Sequence, residues 1–271
     1  MIQSELWTAQ GIQAGLLTHC LGQHAVVYES IDSTNSAAGR LAQQDAPDGT
    51  LVIANQQSAG RGRLGRPWLA PPGTSLLFSL LFRPHASTLG RQPVRLPVSR
   101  AQGLTMACGL GIRAAIRCMT GLPAQLKWPN DILLSGLKAG GILSELGVSG
   151  PLVDYVIVGI GLNVNLDPAA LPTGVAATSI SSQLGRKAER IALLQTALSE
   201  IEQRYAALLA GSWPLEEWAS ALETLRKPVL LQTMQGPLHG VAEDVDEEGA
   251  LLLRLDDGRL QRVLVGDIVA A

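Results

Sequence analysis

The chain lacks the patterns on which several function classes depend. Its 271 residues hold three cysteines, Cys20, Cys108 and Cys118; an odd number at wide spacing argues against a disulfide framework and a Cys-x-x-Cys zinc site. The one close trio of metal-type side chains, His19, Cys20 and His24, reads as a helix end with incidental histidines, because no fourth ligand stands at a suitable spacing. There is no basic excess either. Twenty-one Lys and Arg against 23 Asp and Glu leave a formal net charge of −2, so no broad face is expected for nucleic acid, and anion recognition must come from local clusters. No apolar run reaches membrane-spanning length, and the first twenty residues carry Glu5 with no basic segment ahead of an apolar stretch, so no membrane anchor or secretory signal is expected and the cytoplasm is the expected compartment. No Gly-Lys-Ser/Thr closes a phosphate loop, no G-x-G-x-x-G opens a dinucleotide fold, and no Ser/His/Asp or Cys/His set suggests a covalent nucleophile.

What is present is concentrated. Between Ser58 and Trp68 runs Ser-Ala-Gly-Arg-Gly-Arg-Leu-Gly-Arg-Pro-Trp, with Arg61, Arg63 and Arg66 interleaved with Gly60, Gly62 and Gly65. Glycines permit positive φ and close backbone approach, and guanidinium groups add fixed, forked charge. Such a loop suits an anion.

The surrounding pattern predicts an α+β fold. Val26 onward reads as a strand ending in a polar turn at Ser33-Thr34-Asn35, with Asn35-Ser36 as the cap of a helix through Leu41. Leu51–Ala54 and the run from Ser75 to Pro84, stopped by the proline, read as strands that sling the arginine loop between them. Residues 99–119 predict an amphipathic helix (Leu104, Cys108, Gly111, Ala115, Met119) whose glycines allow close packing on a sheet. A β meander follows through Lys127, the Pro129-Asn130-Asp131 turn and Lys138 to Leu146, then a strand over Tyr155–Val164, so a large, mostly antiparallel sheet flanked by helices is expected. From Lys187 a helix of some two dozen residues is expected, then a short one opening at Pro214. The tail from Val229 alternates short strands and tight turns and predicts a small SH3-like β barrel, which divides the chain into residues 1–224 and 225–271.

Four segments carry chemistry: Ser33-Thr34-Asn35, Gln57 to Trp68, Lys127-Trp-Pro-Asn-Asp131 with Lys138-Ala-Gly-Gly-Ile-Leu143, and Gly159-Ile-Gly-Leu-Asn-Val-Asn165. In order and type they resemble the biotin protein ligase family, in the form without an N-terminal DNA-binding domain, and the resemblance extends from Val26 through the C-terminal segment. It implies a class II aminoacyl-tRNA-synthetase-like fold, biotin and ATP as substrates with Mg²⁺, and transfer of biotin to a lysine of a biotin carboxyl carrier protein. Among site residues it implies Ser33, Thr34, Asn35, Gln57, Gly60, Arg61, Gly62, Arg63, Trp68, Lys138 and Gly141 for biotin. Arg63, Arg66, Lys127, Asn130, Lys138 and Asn163 fall to ATP, Asp131 to the metal, and Arg63, Lys138 and Lys127 to catalysis. Trp128 is expected as a core aromatic.

Physical chemistry supports the comparison independently. Joining a carboxylate to a triphosphate brings like charges together, a repulsion of about 4 kcal/mol at roughly 4 Å and an intermediate dielectric, which fixed cations must cancel. Two other classes remain in view: a lipoate or octanoate transferase on a related fold, where an apolar tunnel would replace the polar ring site, and a biotin-responsive repressor, for which only about two dozen residues precede Val26, too few for a helix-turn-helix module. No nucleic-acid or membrane partner is expected, and the oligomeric state stays open between a monomer and a homodimer paired through a sheet edge.

Overall fold

The computed structural model describes residues 7–90, 92–172 and 176–270. Strand β1 (Ala25–Ile31) runs into helix α2 (Thr34–Ala42), which follows a single-turn helix α1 (Ala9–Gln13) nearer the N-terminus. The cap of α2 is Ser33, whose Oγ accepts the Ser36 N–H, so the helix opens two residues earlier than Asn35-Ser36 would have placed it. Thr34 and Asn35 therefore sit in its first turn, where their backbone is fixed by the helix.

Strands β2 (Thr50–Gln57) and β3 (Ser75–Phe82) flank the arginine loop. After helix α3 (Gln102–Thr120) come β4 (Gln125–Lys127), β5 (Asp131–Leu134), β6 (Leu137–Ser149) and β7 (Leu152–Asn163). These seven strands form one sheet in the order β1-β2-β3-β7-β6-β5-β4. It is mixed: β1 and β2 are parallel, and the other five pairings are antiparallel. A short α4 (Ile180–Leu184), unmarked in the sequence pattern, precedes α5 (Arg190–Leu209) and α6 (Leu215–Ala221), the last capped by Pro214.

The strand β3 shows how the layers are assigned. Leu76, Phe78, Leu80 and Phe82 point to the core shared with α3 and α5, while Leu81 joins Val52 and Ile157 beneath Ala37, Ala38 and Ala42 of α2. Period-two alternation thus feeds two apolar layers from one fully buried strand. The glycines of α3 serve a helix more than the sheet. A Cβ at Gly111 would lie 2.4 Å from Ile201 Cγ1 of α5, and one at Gly103 would meet the Trp213 ring at 2.2 Å, whereas Gly109 faces Ile142 at an ordinary 3.4 Å. Met119, expected on the buried face, is exposed on the last turn.

Residues from Pro228 onward form a five-stranded antiparallel sheet of β8 (Pro228–Thr233), β9 (Gly236–Val245), β10 (Leu251–Leu255), β11 (Leu260–Val263) and β12 (Asp267–Ala270), ordered β11-β10-β9-β8-β12. The expected barrel is not closed by hydrogen bonds: among the described residues β11 and β12 do not pair. Its apolar residues Val229, Leu231, Ala242, Leu251, Leu253 and Ile268 share one core with the larger sheet, so the two sheets bury their apolar faces together. His19, Cys20 and His24 lie in a turn rather than at a helix end; Glu202 accepts the backbone N–H groups of His19, Cys20 and Leu21 at 2.6–2.9 Å, and His24 Nδ1 lies 3.1 Å from Thr50 Oγ1.

Candidate active site

One cleft of about 410 Å³ opens where the C-terminal ends of β1 and β2, the arginine loop, the β4–β6 meander and β12 meet. Ser33, Thr34, Asn35, Gln57, Arg61, Gly62, Arg63, Arg66 and Trp68 line it from the α2 and loop side. Lys127, Asn130, Asp131, Lys138, Gly141 and Asn163 line it from the sheet. Gly60 alone of the expected site residues does not. It shapes the loop instead: its carbonyl accepts the Trp68 N–H at 2.9 Å, and a Cβ there would stand 2.9 Å from Trp68 O.

The loop is a small hairpin. Arg61 bridges Pro67, and the Gly62 N–H donates to Arg66 O at 2.7 Å. Of its three glycines only Gly65 takes positive φ (72°), and the non-glycine Leu64 joins it at 55°, an uncommon conformation for a branched side chain. All three arginines already hold acids. Arg61 Nη2 lies 3.2 Å from Glu145 Oε1 and donates to Ser36 Oγ; Arg63 Nη1 reaches Asp267 Oδ1 at 3.3 Å, Gly266 O at 3.2 Å and Asn130 Oδ1 at 3.4 Å; Arg66 Nη2 reaches Asp267 Oδ2 at 2.5 Å. Burial draws the Arg63 guanidinium below its ordinary range; Asp267 opposes this, Arg66 adds to it and Asp131 opposes it. It stays charged, since arginine begins so far above neutrality.

Two lysines complete the cationic wall. Lys138 Nζ donates to Asp131 Oδ1 at 2.5 Å across the β5–β6 hairpin and stands 5.9 Å from the Trp68 ring centre. Lys127, opposite Asp131 in the β4–β5 register, has no ion pair among the described residues. The floor is glycine. Gly141 and Gly161 face each other across β6 and β7, and the Trp68 indole lies on them: a Cβ at Gly161 would be 2.5 Å from Cε2, and one at Gly141 would be 3.3 Å from Cζ3.

The polar end is a closed network. Gln57 Oε1 accepts the Thr34 N–H at 2.7 Å and lies 3.0 Å from Thr34 Oγ1, and Asn35 Nδ2 donates to Leu143 O and to Glu145 Oε1, each at 3.2 Å. On the far side Asn163 Nδ2 donates to Thr178 O, while its buried Oδ1 has no partner. Trp128 is 1% exposed and donates to Gly249 O at 3.0 Å, a core aromatic as expected, although its edge reaches the cleft. Sequence reasoning missed Glu145, Asp267 and Ser79, which touch site residues from separate strands. Gly161 was marked only as part of a strand-end motif. Nothing local distinguishes Asp267, at the start of β12, from the other acidic residues of the tail.

A cationic wall beside a closed polar pocket is the architecture of an enzyme that handles an acid and a polyphosphate together. The pattern of the Biotin/lipoate A/B protein ligase family matches residues 27–163, and that of the Biotin protein ligase C terminal domain matches residues 224–270. The chain belongs to the Biotin/lipoate A/B protein ligase family. It is 34% identical over 95% of its length to the bifunctional ligase/repressor BirA of Bacillus subtilis, covering 77% of that protein. It is 35% identical to a biotin–[acetyl-CoA-carboxylase] ligase of Paracoccus denitrificans over 84% of this chain and 93% of the relative. The structure of the biotin protein ligase from Aquifex aeolicus in complex with biotin and ATP superposes with a TM-score of 0.73 at 28% identity, over 91% of this chain and 97% of that one.

Proposed function

We propose that this protein is an ATP-dependent biotin protein ligase. In the first step a biotin carboxylate oxygen bonds to the α-phosphorus of MgATP and the bond to the bridging oxygen of pyrophosphate breaks, giving biotinyl-5′-AMP. In the second, the ε-amine of a lysine on a biotin carboxyl carrier protein attacks the acyl carbonyl, loses a proton and expels AMP. The observation that carries the reading is the convergence of Arg63, Arg66, Lys127 and Lys138 on a cleft whose other end is a closed network of Thr34, Asn35 and Gln57. The cations cancel the repulsion between the two acids and hold them in line. The polar end suits a cyclic urea, whose N–H and C=O groups need paired partners, better than the apolar tunnel a lipoate or octanoate transferase requires.

Within that scheme Ser33, Thr34, Asn35, Gln57, Arg61, Gly62 and Gly141 surround the bicyclic ring, with Trp68 as its wall. Lys138 and Arg63 meet both the carboxylate and the α-phosphate. Arg66, Lys127 and Asn130 face the phosphates, and the unpartnered Asn163 Oδ1 favours an amino donor such as that of adenine. Mg²⁺ would enter with ATP, bound mainly by phosphate and water, and Asp131, whose carboxylate faces the cleft, would be its one carboxylate ligand. The reading places residues 1–224 as the ligase domain, residues 225–271 as a barrel-like cover, and the reaction in the cytoplasm with its carrier. Lys138→Ala and Arg63→Ala are each expected to abolish mass transfer of biotin onto a carrier domain while the protein stays folded; transfer at the wild-type rate by both would refute the assignment.

A further inference from the structure

Ser79 is fully buried on β3 and does not line the cleft, yet both hydrogen-bond partners of its side chain do. Its Oγ lies 2.6 Å from Asn35 Oδ1 and 2.8 Å from Thr34 Oγ1. The direction of each bond follows from the neighbours. Asn35 Nδ2 faces a carbonyl and a carboxylate, Leu143 O and Glu145 Oε1, which only accept. The carboxamide oxygen must therefore face Ser79, and it takes the Ser79 proton. Toward Thr34, Ser79 then offers only lone pairs. The Thr34 hydroxyl has two acceptors in reach, Ser79 Oγ and Gln57 Oε1, both within the protein, so its proton is held inward. Thr34 Oγ1 is left to meet the cleft as an acceptor.

The opposite strand makes room for this arrangement. Gly159 pairs with Ser79 in the β3–β7 register, and a Cβ at Gly159 would stand 2.1 Å from Asn35 Oδ1. A hydroxyl at a fully buried position between Phe78 and Leu80 contributes nothing to apolar burial, and among the described residues its bonds go to Thr34 and Asn35.

We propose that Ser79 is a positioning and specificity-determining residue: through Asn35 and Thr34 it sets the ring subsite as a hydrogen-bond acceptor, matched to the ring N–H of a cyclic urea and mismatched to a ring that presents oxygen or carbon there. The proposal rests on the reading that the cleft takes biotin.

The test uses the full chain with Ser79→Ala and Ser79→Thr, a carrier domain, biotin, and as competitors the two cyclic-carbamate analogues in which one ring N–H is replaced by oxygen. Wild type should bind one analogue at least about tenfold more weakly than biotin, because an acceptor then faces an acceptor. In Ser79→Ala the biotin KM should rise about tenfold and the biotin-to-analogue preference should shrink by a similar factor, while the ATP KM and kcat stay within about twofold. Ser79→Thr, which keeps the hydroxyl, should restore most of the preference. A purely structural role would lower kcat through loss of folded enzyme and leave the biotin KM and the preference unchanged, and that result would overturn the proposal. If Ser79→Ala fails to fold, Ser79→Cys carries the same comparison, since a thiol donates weakly. Absence of biotin turnover by wild type would overturn the functional reading and this proposal with it. Wild-type turnover with an unmoved biotin KM in the variant would overturn this proposal alone.

Discussion

Replacing Gly161 by alanine tests whether the arginine loop must lie down on the sheet for chemistry to occur. The added methyl would stand 2.5 Å from Trp68 Cε2, 2.7 Å from Cζ2 and 2.9 Å from Nε1, well inside the roughly 3.5–4 Å of an ordinary carbon contact. The indole must retreat by about 1 Å, and Trp68 is tied to Gly60 by its N–H and leads directly into the hairpin that carries Arg63. Overpacking of this kind costs about 1–3 kcal/mol. Because the loop can lift, the cost falls on the closed loop rather than on the sheet. At about 1.4 kcal/mol per decade the closed population drops by roughly five- to 140-fold, and the rate of biotinyl-adenylate formation in single turnover should drop with it. Thermal stability should hold or rise slightly, since Gly161 sits in a strand without positive φ, where alanine restricts the unfolded chain. Gly141→Ala is the graded control: its methyl meets the ring at 3.3 Å, a distance a small shift relieves, and the loss should stay below about fivefold. Wild-type adenylation in Gly161→Ala, with protease cleavage at residues 61–66 as slow as in the parent, would refute the reasoning.

Two further expectations concern charge and reactivity. Asp267→Asn removes the carboxylate that joins β12 to Arg63 and Arg66; the Arg63 pair is largely shielded, at 18% and 17% side-chain exposure, while Arg66 is 61% exposed and adds little. A loss of about 1–2 kcal/mol is expected in urea melts, and an unchanged midpoint would show that the C-terminal sheet docks without this contact. Among the cysteines, burial pushes the Cys108 thiol up, and burial together with Asp48 does the same for Cys20, whereas Cys118 is exposed. Iodoacetamide should therefore add one adduct to the folded protein, at Cys118, as read by mass after proteolysis; modification of Cys108 at a comparable rate would contradict the packing.

Local sequence carried the apolar strand β3, the long periodic helix α5, and the interleaved arginines and glycines that mark an anion loop, because these are short-range patterns of period and composition. The type and order of the four chemical segments were likewise legible, and the structure gathers them at one cleft. The exact cap of α2 was not, since Ser33, Asn35 and Ser36 are all good caps and only the end of β1 selects among them. The five short antiparallel strands of the C-terminal segment were legible, but whether they close was not: strand and turn signals say where strands lie, while pairing between the two edge strands, β11 and β12, is a matter of tertiary structure.

The sequence by itself determined which side chains would supply positive charge and which would supply polar contacts. Tertiary structure alone decided their partners: Asp267 reaches the arginine loop from some two hundred residues away, Ser79 orders Thr34 and Asn35 from the neighbouring strand, and Gly161 admits the Trp68 ring. Those pairings depend on strand register and domain docking, which bring together residues that no local pattern in the chain connects.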